Sequence, residues 1–171
     1  MEIQSNDEQS FRQVYEATFP VLMRVVYHVT NNMDLAEEIC QEAFIRYYDK
    51  AMTFPGVDDA KFWLIRVAKN LAINQIKRKA REMNMVEKLK KFPINAPVKD
   101  GSQVLVEQET RKEVQDAIAQ LPEKFRLVIV MKEYTDMDYK QIAMSLHISE
   151  SNVKVRVYRA RKMLESILNR E

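Results

Sequence analysis

Tyr139-Lys140-Gln141-Ile142-Ala143-Met144-Ser145-Leu146-His147-Ile148-Ser149 is the most informative run of this chain, and Val153-Lys154-Val155-Arg156-Val157-Tyr158-Arg159-Ala160-Arg161-Lys162 completes it. The first run predicts a short helix capped by Asp138 with Gln141, then a tight turn; Ser149 predicts the N-cap of a second helix reaching Leu168. Ala143 is small where two helices would approach, and Ile142, Leu146 and Ile148 supply a shared core. At about 100° per residue, Val153, Val157, Ala160, Leu164 and Ile167 line one face of the last helix. The opposite face carries Ser151, Val155, Tyr158, Arg159 and Lys162, flanked by Lys154, Arg156 and Arg161. A DNA major groove calls for this arrangement. Arginine bonds a guanine edge twice, an exposed valine meets a thymine methyl, and the flanking bases hold phosphates. The competing reading is an ordinary solvated basic helix; the turn, and an exposed Val and Tyr among the bases, weigh against it.

Upstream, helical periodicity runs from about Gln9 to Arg81, with turn-like breaks at Thr30-Asn31-Asn32 and at Phe54–Asp59. Asp34 with Glu37 three residues later predicts a capping box and a helix start. Pro93, Pro97 and Gly101 interrupt any period between Met83 and Gln103, which predicts a flexible linker. Helical pattern resumes at about Leu105 and stops at Leu121-Pro122, and another helix is expected over Glu123–Tyr134. The expectation is an all-α protein of two small helical domains, residues 1–82 and 104–171, joined by residues 83–103. A tether of that length would also allow a compact form in which acidic and basic faces meet.

Composition narrows the chemistry. Of 171 residues, 46% are hydrophobic and 30% charged, the balance of a folded protein. Two glycines leave no Gly-rich phosphate loop, and one cysteine with two histidines leaves no zinc cluster or internal disulfide. No catalytic triad or carboxylate pair stands out, so an enzyme is not expected, and neither a cofactor nor a metal is implied. The absence of a long apolar run and the polar start predict a soluble, cytoplasmic protein without membrane insertion. Net charge is +2 but unevenly spread. Residues 34–59 hold seven acids against two bases, whereas residues 61–91 hold ten bases against two acids. Two kinds of partner fit that split better than one.

The two blocks also form faces. A helix over 34–50 buries Leu35, Ile39, Ala43, Phe44 and Tyr47 and turns Glu38, Gln41, Glu42, Ile45, Tyr48 and Asp49 outward. Ile45 and Tyr48 inside an acidic surface fit a docking site for a basic protein helix; packing under the following loop fits them equally well. On the next helix Leu64, Ala68, Leu71, Ala72 and Ile76 point inward, and Trp63, Arg66, Asn70, Asn74, Lys77 and Arg81 stack on the far side. Amides and bases at that spacing suit unpaired nucleic acid, with the Phe54–Asp59 loop at the head of the track. Trp63 reads either as a stacking platform or as core.

Four motifs in order carry a family resemblance. They are Ala36–Arg46, with Glu38, Gln41, Glu42 and Phe44; Phe62–Asn74, with Trp63, Leu64, Ile65, Ala68 and Asn70; Leu121–Val128; and Val153–Arg161. Together they resemble regions 2 and 4 of bacterial sigma factors of the extracytoplasmic-function group. The chain departs from that pattern at Ala60, Pro55, Val57, Ser151-Asn152 and Val155.

The resemblance implies an alternative sigma factor that directs transcription initiation in a stress or envelope response. Glu38, Gln41, Glu42, Ile45 and Tyr48 would dock on the β′ clamp helices of core RNA polymerase, with the β flap as a further contact. Phe54, Trp63, Arg66, Asn70, Asn74, Lys77 and Arg81 would serve the melted −10 element of promoter DNA. Ser151, Lys154, Val155, Arg156, Tyr158, Arg159 and Lys162 would serve the −35 duplex. Control by a separate anti-sigma factor, a nucleoid-associated location and no small-molecule substrate are implied as well. Two other classes stay open: a free-standing helix-turn-helix regulator that binds duplex operators without polymerase, and a sigma-like interaction module.

Overall fold

Two adjacent asparagines make the first corner. Asn31 adopts a left-handed conformation (φ 55°) that ends helix α1 (Glu8–Thr30), its N–H donating to the Tyr27 carbonyl at 2.7 Å. Asparagine tolerates that region better than most residues. Asn32 then caps helix α2 (Met33–Asp49), its side chain accepting from the Leu35 N–H at 3.0 Å. The expected capping box at Asp34 and Glu37 is therefore corrected: the chain reverses so abruptly at Asn31 that the helix begins before Asp34 can cap it. The structure, a computed structural model, describes residues 1–89 and 106–170.

Two extended residues at each end of this helical pair form a small antiparallel ladder of β1 (Ile3–Gln4) with β2 (Thr53–Phe54), which pairs Ile3 with Phe54. Periodicity alone gave no sign of it. Buried Ser5 joins the ladder, its Oγ accepting from the Met52 N–H at 2.8 Å. Helix α3 (Val57–Leu89) follows, 33 residues or about 50 Å long. It continues past Arg81, where the helical pattern was expected to end; residues 90–103 of the expected linker lie outside the described residues.

The second half contains α4 (Val106–Gln120), α5 (Glu123–Tyr134), α6 (Tyr139–Leu146) and α7 (Glu150–Leu168). Asp138 and Gln141 form the capping box predicted for α6, with bonds of 2.8 and 2.9 Å. His147 takes the left-handed turn (φ 55°), and the Ser149 Oγ caps α7 by accepting from the Asn152 N–H at 3.0 Å. The helix-turn-helix is thus α6 and α7, packed through Ile142, Ala143, Leu146, Val153, Val157 and Ala160. The α1–α3 bundle has its own core around Val14, Leu22, Ala43, Tyr47, Leu64 and Ala68.

The two halves pack together, with α5 and α4 against α1 and α6 against α3. This contact is not the meeting of acidic and basic faces expected for a compact form. The acidic face of α2 stays in solvent, and helices of mixed character make the seam.

Candidate functional site

Helix α2 puts its outward residues where periodicity placed them. Ile45 is 54% and Tyr48 50% exposed, so neither packs under the following loop. Glu38, Gln41, Glu42 and Ile45 line a cleft of about 320 Å³ between α2 and α3, closed by Leu71 and Gln75. Ile45 and Tyr48 also line an adjoining apolar hollow of about 290 Å³ with Phe11, Phe44 and Asp49. All five candidate docking residues therefore converge on two neighbouring clefts. The sequence reading overlooked the part played by α1. Phe11, Tyr15 and Phe19 recur at i, i+4 spacing, and Phe11 meets the Tyr48 ring edge-on at 5.8 Å. That spacing was visible in the sequence, but only the fold brings it beside Tyr48.

The track along α3 divides in two. Asn70, Asn74, Lys77 and Arg81 are exposed in one line, the Arg81 Nε donating back to the Lys77 carbonyl at 3.4 Å. The head of the track is packed away. Phe54 is only 6% exposed, its ring 5.6 Å from that of Tyr47 and 6.2 Å from that of Trp63. It belongs to the ladder and the core, which corrects its placement in a base-reading loop. That loop is also shorter than expected, because only Pro55 and Gly56 lie between β2 and α3. Trp63 is half-buried between the Phe54 and Tyr47 rings. Arg66 is half-buried too, its Nη1 donating to the Met144 carbonyl at 2.8 Å. Burial lowers the pKa of both Arg66 and neighbouring Lys69. Lys69, missed in the sequence reading, feels Glu123 and Arg156 from the other half as well as Arg66.

Helix α7 presents the most open face. Val155 is 46% and Tyr158 64% exposed, with Ser151, Lys154, Arg159 and Lys162 around them. Lys154 lies 3.8 Å from Glu150, and the Lys162 Nζ lies 5.8 Å from the Tyr158 ring centre. Arg156 is half-buried, its Nε donating to Asn152 Oδ1 at 3.0 Å. Arg161 is tied to Glu133 of α5 at 2.8 Å, which locks the helix to its support. Among the described residues no hydrogen bond or ion pair holds the Arg159 guanidinium. Exposed and unheld, it can turn both donor edges toward a partner.

Among the described residues no group of His, Cys, Asp and Glu could hold a metal ion, and no helix is long and apolar enough to cross a membrane. Buried Cys40 has its thiol pKa pushed up to about 12 by burial, which keeps it protonated and unreactive.

Comparison with known proteins covers both halves. A family model described as Sigma-70 region 2 matches residues 14–82, and one described as Sigma-70, region 4 matches residues 111–164. The chain is 30% identical to the ECF RNA polymerase sigma factor SigW of Bacillus subtilis, over 98% of this chain and 93% of that relative. It is 26% identical to SigM of the same organism, over 92% and 94% of the two chains. In fold it is similar to the sigma factor RpoE solved in complex with the anti-sigma factor NepR from Bartonella quintana. That likeness has a TM-score of 0.68 at 19% identity and covers 95% of this chain and 99% of the other.

Proposed function

The chain belongs to the extracytoplasmic-function sigma factors of bacterial RNA polymerase, and from that membership we propose how its exposed faces divide the work of initiation. As an alternative sigma factor it binds core polymerase and directs transcription from promoters with −10 and −35 elements. Residues 1–82 form the docking and −10 domain, 83–103 the connector and 104–171 the −35 domain. The acidic clefts of α2, with Glu38, Gln41, Glu42, Ile45 and Tyr48, receive the β′ clamp helices. Asn70, Asn74, Lys77 and Arg81 hold the melted −10 strand, joined by Arg66 and Trp63 once they are released from packing. Ser151, Lys154, Val155, Tyr158, Arg159 and Lys162 read the −35 duplex, with Arg156 positioned by Asn152. The β flap, promoter DNA and an anti-sigma factor complete its partners. It works in the cytoplasm on the nucleoid as a specificity subunit, not an enzyme.

The observation that carries this reading is the separation of surfaces. An acidic face with an apolar centre lies on α2, while α3 and α7 each expose bases. A single nucleic-acid ligand would be repelled by the first and attracted by the other two. On polymerase, both readers meet one DNA at high effective concentration, so two modest affinities combine. The reading as a free-standing regulator is not favoured, because residues 14–82 match region 2.

Run-off transcription with purified core polymerase on a pooled promoter library tests the proposal. Transcripts that depend on the protein, with upstream sequences aligning at two elements, are the expected result. A shifted palindromic duplex without polymerase, and no transcripts with it, would count decisively against it.

A further inference from the structure

Beyond α2 the chain turns a corner that most residues avoid. Ala51 holds φ at 50°, in the left-handed region, and Met52 and strand β2 follow it directly. Such a conformation persists only where its surroundings over-determine it. Here the surroundings include the first residues of the chain. Ser5 is fully buried and commits both its N–H and its hydroxyl to Met52. The Ser5 N–H donates to the Met52 carbonyl at 2.9 Å, and the Ser5 Oγ accepts from the Met52 N–H at 2.8 Å. Ile3, 3% exposed, pairs with Phe54 in the ladder. The other end of this strap is tied down by Asp7, whose N–H donates to the Gln4 carbonyl at 3.2 Å and whose side chain caps α1. Two residues per strand are too few for a ladder that stands alone. A segment that only sealed the bundle would be apolar throughout, whereas a buried serine devoted to one backbone position fixes that position.

Strand β2 in turn fixes the head of the α3 track. Only Pro55 and Gly56 separate β2 from α3, too short a connection to absorb a shift. The Phe54 ring lies 5.6 Å from that of Tyr47 and 6.2 Å from that of Trp63, and the Tyr47 and Trp63 rings are 6.0 Å apart. Among the described residues the buried Tyr47 hydroxyl has no hydrogen-bond partner. Packing alone therefore sets the three rings, and Phe54 carries any displacement of the strap to Trp63. We propose that Ile3–Ser5 is a positioning strap for the −10 reader: by fixing Met52 and Phe54 it sets the stance of Trp63 at the head of the track, and so the grip on the melted strand. The inference rests on the assignment of α3 as that reader. A head already ordered loses little freedom on binding, whereas a loose one must be ordered at the moment of contact. The −35 face lies on α7, outside the strap's hydrogen bonds, and so serves as an internal control.

Trp63 is the chain's one tryptophan, so its emission reports on the head of the track directly. The test uses the full-length chain, free and as holoenzyme with core polymerase. The probe is a fluorescein-labelled single strand carrying the −10 sequence of a promoter that the holoenzyme transcribes. Ser5→Ala removes the Oγ and leaves the Met52 N–H buried and unpaired. It should red-shift Trp63 emission and weaken strand binding at least about fivefold. Affinities for core polymerase and for −35 duplex should not change. If Ser5→Ala loses its helical circular dichroism, Ile3→Ala takes its place, and Ile3→Val, which keeps the branched shape, should bind as the parent does. Unchanged or tighter strand binding overturns the strap, whether or not the emission shifts. Equal losses toward strand, polymerase and −35 duplex overturn it too, because they show a general loosening of the fold. A parent holoenzyme that transcribes and binds −35 duplex but holds no −10 strand overturns the α3 assignment itself, and the strap with it.

Discussion

Arg159 and Arg161 show how two identical side chains on one helix come to different uses. Arg161 is committed to Glu133 and braces α7 against α5, whereas Arg159 stands exposed with no partner among the described residues. Arg159→Ala should weaken binding to −35 duplex by about 1–3 kcal/mol and relax preference at one base pair. A competition gel shift across single-base variants reads both effects; a uniform loss at every position would make it a phosphate contact instead. Tyr48 makes the corresponding case for protein docking, half exposed over an apolar hollow with Phe11 beneath its ring. Tyr48→Ala should cost about 2 kcal/mol in polymerase affinity, roughly thirtyfold in Kd. Pull-down with core polymerase checks it, and −35 duplex binding by the same variant should not change.

At the scale of elements, caps decide where helices begin more sharply than hydrophobic period does. The starts of α6 and α7 were legible because Asp138 and Ser149 are the polar residues bordering their apolar runs. The start of α2 was not, because Asn32, Asp34 and Glu37 all offer capping chemistry and only the αL turn at Asn31 chooses among them. Asn32→Ala should therefore lower unfolding free energy by about 1 kcal/mol. Asp34→Ala should cost less, since its side chain only complements the helix dipole. Urea unfolding of the two variants side by side tests the assignment, and the opposite ranking would restore Asp34 as the cap.

For the whole molecule, the seam between the halves ties stability to pH. His28 has a pKa lowered from the usual histidine value, chiefly by burial and also by nearby Arg24, with the Gln115 bond opposing. Tyr27, Tyr134, Arg111, Lys112 and Asp116 border the same cleft. Because His28 has the lower pKa when packed, the folded chain binds fewer protons there than the unfolded one. This contribution to stability is fully present above the unpacked value near 6.5 and is lost as pH falls through that value toward the lowered one. The chain should accordingly unfold at a lower urea concentration at pH 5.5 than at pH 8, and His28→Ala should shrink the difference.

The sequence by itself determined the helices, the helix-turn-helix, the acidic face of α2, the basic face of α7 and the family these imply. Each depends on local periodicity, capping or charge, which neighbouring residues specify among themselves. Only the tertiary structure decided that Phe54 belongs to a ladder with Ile3, that Trp63 and Arg66 are half withdrawn from the α3 track, and that Phe11 supports Tyr48. It alone joined His28, Gln115, Tyr134 and Arg126, which come from three helices and both halves of the chain. Leu127–Met131 is buried on every side of α5, and no periodic pattern names the covering surface. A contact between residues about ninety positions apart follows from packing, and packing is settled only when the whole chain is in place.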